Sequence, residues 1–191
     1  MQDYLKDELQ HASLSMFRKN FLGIFHGSIS AKTEKNRFII NTKDAVFDNL
    51  NDSDFIELYS RKDYRWREAS LDTEIHLSIY NHISEAKYIT YTMAPFMTSY
   101  GIHHNRIKPK DYFGSKIIGE LPIYDPKDFS TWYERAKSEI PLEIEKGQKE
   151  MLLIRGYGLY SYGRSLNNVI KKIAILENSC KILYHAQQCK Y

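Results

Sequence analysis

Apolar and polar residues alternate at helical spacing through the first segment, DYLKDELQHASLSMFRKNFLGIF, until Gly23. Beyond it GIFHGSIS and NRFIINT carry strand-like runs on either side of a polar turn, KTEKN, and NDSDFIELY adds a third. Helical spacing returns in ASLDTEIHLSIYNHISEA through Ile75, Ile79 and Ile83, with Ser70 or Asp72 placed to cap the start. KYITYTM is a β-rich run ending in a turn at Pro95, FMTSYG a short helical turn, and KIIGELPIY a later strand. TWYERAKSEI is amphipathic; a proline cannot join the helical ladder, so the pattern predicts a stop near Pro141 and a further short helix in LEIEKGQK. MLLIRG and YGLYSYG read as two strands joined around Gly156 and Gly158. A long helix ends the chain, capped by Ser165 and buried along Leu166, Val169, Ile170, Ile173 and Leu176.

Strands alternate with helices, yet several neighbouring strands are joined by short turns. That order predicts an α/β domain with a mixed or largely antiparallel sheet between helices. With 191 residues and no repeat, linker or low-complexity tract, a single domain over 1–191 is expected.

Composition narrows the classes of function. Hydrophobic residues at 42% and charged residues at 27% are ordinary for a globular protein. A net charge of +3 and a pI near 8.7 give no reason to expect nucleic acid, and the densest basic cluster, RKDYRWR, suits a solvated loop. No apolar run approaches the roughly 18 residues of a membrane span, and no basic-then-apolar leader opens the sequence. The two cysteines, Cys180 and Cys189, fit no metal or disulfide spacing, so a reducing cytoplasm is the expected setting. Cys180 falls on the apolar side of its helix.

Dinucleotide fingerprint, P-loop, nucleophile elbow and HExxH are all missing. Of seven histidines only His103 and His104 are adjacent, and neighbours on a strand point opposite ways. His76, in mid-helix, suits a partly buried, hydrogen-bonded structural role. Asp72 draws more interest: beside a helix start its carboxylate is either an N-cap or a general base.

The order of these segments resembles the class II aldolase/adducin family, from about Asp3 to Leu183. SLDTEIHLSIY is similar to the family's S-S-[DE]-x-x-x-H-x-x-x-Y, and RGYGLYSYGRSL to its N-H-G-x-x-x-x-G-x-[ST]-L. The resemblance implies a three-layer α/β/α sandwich around a mostly antiparallel, nine-stranded sheet, assembled as a homotetramer. It also implies sugar-phosphate substrates and a zinc ion held by three histidines, two in an H-x-H strand end and one in the N-H-G turn. Those positions correspond here to Tyr91, Met93 and Tyr157, so no metal ligand survives. A neutral thioether and phenols with a proton near pKa 10 are poor partners for zinc. Asp72 stands where the aldolases carry their catalytic glutamate and the epimerase an aspartate facing the metal. Ser28, Lys43 and Ser70 fall at the phosphate-binding positions, with Asp44 replacing a glycine there.

Three functions follow. A divergent member could bind a sugar-like or phosphorylated ligand, or act by a metal-free route through Asp72, Tyr91 and Tyr157, with no cofactor. An adducin-like, non-catalytic module would instead fill the old metal pocket with side chains. A metal-dependent aldolase or epimerase would need relocated zinc ligands such as His103 and His104.

Overall fold

The computed structural model describes residues 2–24 and 26–189. Among them, eight strands form one sheet: β1 (Ser28–Glu34), β2 (Arg37–Asn41), β3 (Phe55–Tyr59), β4 (Tyr88–Thr92), β5 (Arg106–Ile107), β6 (Leu121–Tyr124), β7 (Met151–Ile154) and β8 (Gly158–Gly163). Their order is β3-β2-β1-β4-β8-β7-β6-β5, and every pairing is antiparallel except β6 with β7. The resemblance implied nine strands; eight are found among the described residues.

Because successive strand residues face opposite ways, each strand feeds two cores. Ile29, Ala31, Ile39, Leu153 and Leu159 turn toward α1 (Gln2–Arg18), α3 (Pro95–His103) and α5 (Leu166–Gln188). Phe38, Ile40, Ile89, Leu152 and Ile154 turn toward α2 (Thr73–His82) and α4 (Trp132–Gly147). The expected α/β/α sandwich with a mostly antiparallel sheet is therefore the fold.

Several boundaries differ from the sequence pattern. The first helix stops at Arg18, and β1 begins only at Ser28 but runs on through Glu34, reducing the expected KTEKN turn to residues 35–36. Phe25, inside the expected GIFHGSIS strand, lies outside the described residues. The strand expected from KIIGELPIY starts at Leu121, after a π-helical turn over Gly114–Ile118. Pro141 does not end its helix: α4 continues through it to Gly147. One lost helical bond and a ring clash cost about 3 kcal/mol. Burial of Trp132, Ala136, Ile140 and Ile144 on one face of the uninterrupted helix offsets it, at about 1.5–3 kcal/mol for each large side chain.

The N-terminus of α3 brings a buried carboxyl into the core on its side of the sheet. Its own residues supply no side-chain cap, and Glu177 of α5 fills the gap. The Glu177 carboxylate accepts the backbone N–H groups of Phe96 at 2.9 Å and Met97 at 2.8 Å. Burial pushes this carboxyl above its usual range, and the two amides pull it partway back.

Candidate functional site

Helix α2 starts at the end of a loop pinned to β2, where the Ser70 N–H donates to the Asn41 carbonyl. The Ser70 hydroxyl accepts the Asp72 N–H at 3.3 Å. Asp72 holds the N-cap position but makes no capping bond with its side chain. The expectation that its carboxylate caps the helix is corrected: the carboxylate turns inward, 7% exposed.

Two hydroxyls meet it there. Ser28 of β1 donates to Oδ2 at 2.8 Å, and Tyr160 of β8 donates to Oδ1 at 3.0 Å. Burial raises the Asp72 pKa, and the Ser28 and Tyr160 hydrogen bonds partly oppose that rise. Behind Ser28 the polar contacts continue. Ser28 Oγ lies 2.9 Å from His76 Nε2, His76 Nδ1 lies 2.7 Å from Ser30 Oγ, and Ser30 Oγ lies 2.7 Å from the Tyr80 hydroxyl. His76 is fully buried, more so than the sequence suggested, and desolvation lowers its pKa to about 3, which keeps the ring neutral.

The geometry behind this ladder is simple. Two residues along a strand advance about 6.6 Å, and four along a helix about 6 Å. Ser28 and Ser30 on β1 therefore keep pace with Asp72, His76 and Tyr80 on α2.

In front of Asp72 lies a cavity of about 240 Å³, also lined by His26, Asn41, Lys43, Phe47, Ser70, Tyr91, Tyr133 and Tyr157. One wall is aromatic. The Tyr91 ring stacks on Tyr160 with centroids 4.9 Å apart and leans on Tyr157 at 5.1 Å, while Trp132 meets Tyr157 edge-on at 5.8 Å. The Tyr91 hydroxyl donates to the Tyr157 carbonyl at 2.8 Å. Burial raises the pKa of both phenols, that of Tyr157 to about 12. Tyr133, half exposed, reaches over the opening and donates to the Leu71 carbonyl.

The structure gathers most of the residues singled out from sequence. Asp72, Tyr91, Tyr157, Ser70 and Lys43 line the cavity, and Ser28 lies just beneath its floor. The Lys43 ammonium donates to the Arg67 carbonyl at 3.0 Å and pairs with Glu68 at 3.4 Å. Met93 does not line the cavity; its side chain is exposed and its N–H donates to the Phe21 carbonyl. His103 and His104 end α3 elsewhere, the latter stacked on Tyr100 at 3.7 Å. Among the described residues, no three His, Cys, Asp or Glu side chains converge as a metal site would need. Tyr160, Tyr133 and Ser30 were not singled out from sequence. For Tyr160 a signal existed in the alternation of YGLYSYG, which sends Tyr160 and Tyr162 to one face.

Another hollow among the described residues is a groove of about 300 Å³ beside β6 and α4. Its Glu143 and Lys146 pair with each other at 2.5 Å, and it holds no comparable buried acid.

Known proteins resemble this chain in sequence and fold. Residues 7–184 match the family described as the Class II Aldolase and Adducin N-terminal domain. The methylthioribulose-1-phosphate dehydratase of Pseudoalteromonas translucida (strain TAC 125) is 25% identical over 185 residues, covering 89% of this chain and 85% of the relative. The L-fuculose-1-phosphate aldolase of Thermus thermophilus superposes with a TM-score of 0.86 at 19% identity, over 97% of this chain and 95% of that one. A sugar-phosphate aldolase from Thermotoga maritima does so at 0.73 and 13%, over 96% and 95%. These two structural likenesses establish the fold. No helix among the described residues is long and apolar enough to cross a membrane.

Proposed function

The chain belongs to the class II aldolase and adducin N-terminal domain family, and we propose that it binds a small sugar-like or phosphorylated ligand in the Asp72 cavity without zinc. The observation that carries this is a buried carboxylate on the floor of an open cavity, with neutral side chains at the positions where the family resemblance implies metal ligands.

Zinc takes imidazole, thiolate or carboxylate. Here the cavity offers one carboxylate, Asp72, already accepting two hydroxyls, and one imidazole, His26, beside phenols whose protons burial holds firmly. Two such donors fall short of the three protein ligands a zinc site uses, and among the described residues no third His, Cys, Asp or Glu converges on them. Asp72 can instead accept a hydrogen bond from a ligand hydroxyl, or a proton from a carbon next to a carbonyl. A carboxyl with a raised pKa is better matched to such a base at neutral pH. The relatives' names, a fuculose-phosphate aldolase and a methylthioribulose-phosphate dehydratase, support a phosphorylated sugar as the ligand. Ser70 and Lys43 stand at the phosphate end in this reading, with Lys43 exchanging the Arg67 carbonyl for the ligand. If the chain is catalytic, it is a carbon–carbon lyase or epimerase acting by a metal-free route through Asp72. The same family likeness supports a cytoplasmic homo-oligomer, a tetramer by resemblance.

Elemental analysis of natively purified protein, together with calorimetric titration against a panel of phosphosugars, tests the proposal. The expected outcome is no stoichiometric zinc and at least one binder. Asp72→Asn is expected to weaken that binder at least tenfold, about 1.4 kcal/mol. One tightly held zinc per chain overturns the metal-free reading, and a panel without any binder overturns the ligand.

A second reading rests on the stack of Tyr91, Tyr157, Tyr160 and Trp132, which fills part of the pocket as a core would. It makes the chain an adducin-like interaction module, in which Asp72→Ala leaves assembly and partner binding intact. Relocated ligands at His103 and His104 find no support, since neither ring lines the cavity.

A further inference from the structure

Every donor and acceptor in the ladder beneath the cavity can be assigned. Ser28 has one proton and gives it to Asp72 Oδ2. Its contact with His76 Nε2 must then be an N–H donated by the ring. In a neutral imidazole the other nitrogen is bare, so Nδ1 accepts the Ser30 hydroxyl, and Ser30 accepts from Tyr80. With Asp72 ionised, all the bonds point toward it.

A second complete arrangement exists. If Asp72 carries a proton on Oδ2, it donates to Ser28, Ser28 donates to a bare Nε2, Nδ1–H donates to Ser30, and Ser30 donates to Tyr80. The Tyr80 proton then needs an acceptor, and the Lys87 carbonyl lies 3.4 Å from its hydroxyl. Counting hydrogens, the first arrangement holds four, on Ser28, Nε2, Ser30 and Tyr80. The second holds five, the extra one being the proton Asp72 has gained. The imidazole carries one proton in both, on opposite nitrogens.

We infer that Ser28, His76, Ser30 and Tyr80 form a two-state positioning chain that reverses as Asp72 gains or loses a proton, with neutral His76 changing tautomer rather than charge. The inference deepens the reading of Asp72 as the acid–base group of the cavity. Reversal lets Asp72 hold a proton taken from a ligand without leaving a buried donor or acceptor unpaired, a loss that ordinarily costs about 1–3 kcal/mol. Tyr160 stays a donor to Oδ1 in either state. The charged and titratable groups around the chain are Tyr91, Tyr133, Tyr157 and Tyr160 beside Asp72, His26 and Lys43 on the cavity lining, and Tyr88 and Lys32 near Tyr80, the latter over its ring at 5.6 Å. His76 touches none of the cations directly among the described contacts, in keeping with a ring that stays neutral.

The test is nitrogen NMR of the full chain labelled with ¹⁵N-histidine, with the His76 signals assigned by loss in His76→Gln. Protonated and bare ring nitrogens resonate far apart, so the tautomer is read directly. The expected result is Nε2–H at high pH, changing to Nδ1–H as Asp72 takes its proton, with no imidazolium. Asp72→Asn, whose amide donates to Ser28 as the protonated acid does, is expected to hold Nδ1–H at every pH. Tyr80→Phe removes the acceptor that Ser30 needs in the second arrangement, so it is expected to move the tautomer change to lower pH. One tautomer shared by wild type and Asp72→Asn across the titration would overturn the inference. So would a His76 that simply becomes imidazolium, or a Tyr80→Phe midpoint that does not move. The readout uses unliganded protein, so it can fail while ligand binding survives, and the reverse.

Discussion

Among the described residues two carboxylates are buried, on opposite faces of the sheet, and they are held in different ways. Glu177 accepts two backbone amides at the start of α3. Asp72 sits at the start of α2, where helix amides are at hand, yet it accepts two side-chain hydroxyls instead. An amide can only donate, so both Glu177 oxygens serve as acceptors, which favours the ionised form against the burial that opposes it. A hydroxyl can turn round, so Asp72 can be accommodated with or without its proton. Burial raises both pKa values, but only Asp72 stands beside a cavity. Donor chemistry, more than burial, separates the structural charge from the candidate reactive one.

The same isosteric change at each site breaks the comparison most directly. Glu177→Gln turns one acceptor oxygen into an NH2 that faces a backbone N–H, and is expected to cost about 2–3 kcal/mol in urea unfolding, with ligand affinity unchanged. Tyr160→Phe takes one donor from Asp72 and is expected to cost about 1 kcal/mol, while making Asp72 harder to ionise. The smallest effect belongs to Asp72→Asn, where reversible partners should limit the loss at neutral pH to within about 0.5 kcal/mol. An equal loss at Asp72 and Glu177 would erase the distinction drawn here.

The pH dependence sharpens it further. A carboxyl whose folded pKa is raised binds its proton more tightly when folded. Its contribution to stability is full below the ordinary carboxylate pKa, near 4, and is lost as pH rises through the raised value. Wild-type stability is therefore expected to fall over that window, and Asp72→Asn to flatten the part due to Asp72 in a series of urea melts.

Much of this was legible in the sequence. Periodicity located the helices, and the resemblance of SLDTEIHLSIY picked out Asp72 as well as the His76 and Tyr80 positions. The meaning of Asp72 was harder to read, because an N-cap and an inward-facing base look alike until the facing element is known. Ser28 and Ser30 sit more than forty residues away, and only tertiary packing puts β1 against α2. Pro141 misled for a related reason: a local rule about the helical ladder was outweighed by the burial of Trp132, Ala136, Ile140 and Ile144. Met93 shares its strand's end with Tyr91 but not its surroundings, since backbone pairing to Phe21 carries it out of the cavity.

The matched pitch of β1 and α2 also bears on how the chain finds its fold. A slip of β1 by one residue would put Ile29 and Ala31 against Asp72 and His76, and would drive Ser28 and Ser30 into the apolar layer beneath α1 and α5. Both faces would object at once, one by stranding polar atoms and the other by losing its filling. The hydroxyls that serve the candidate site thus act as a proofreader of strand alignment, and a chain that has paired β1 wrongly cannot also assemble its cavity.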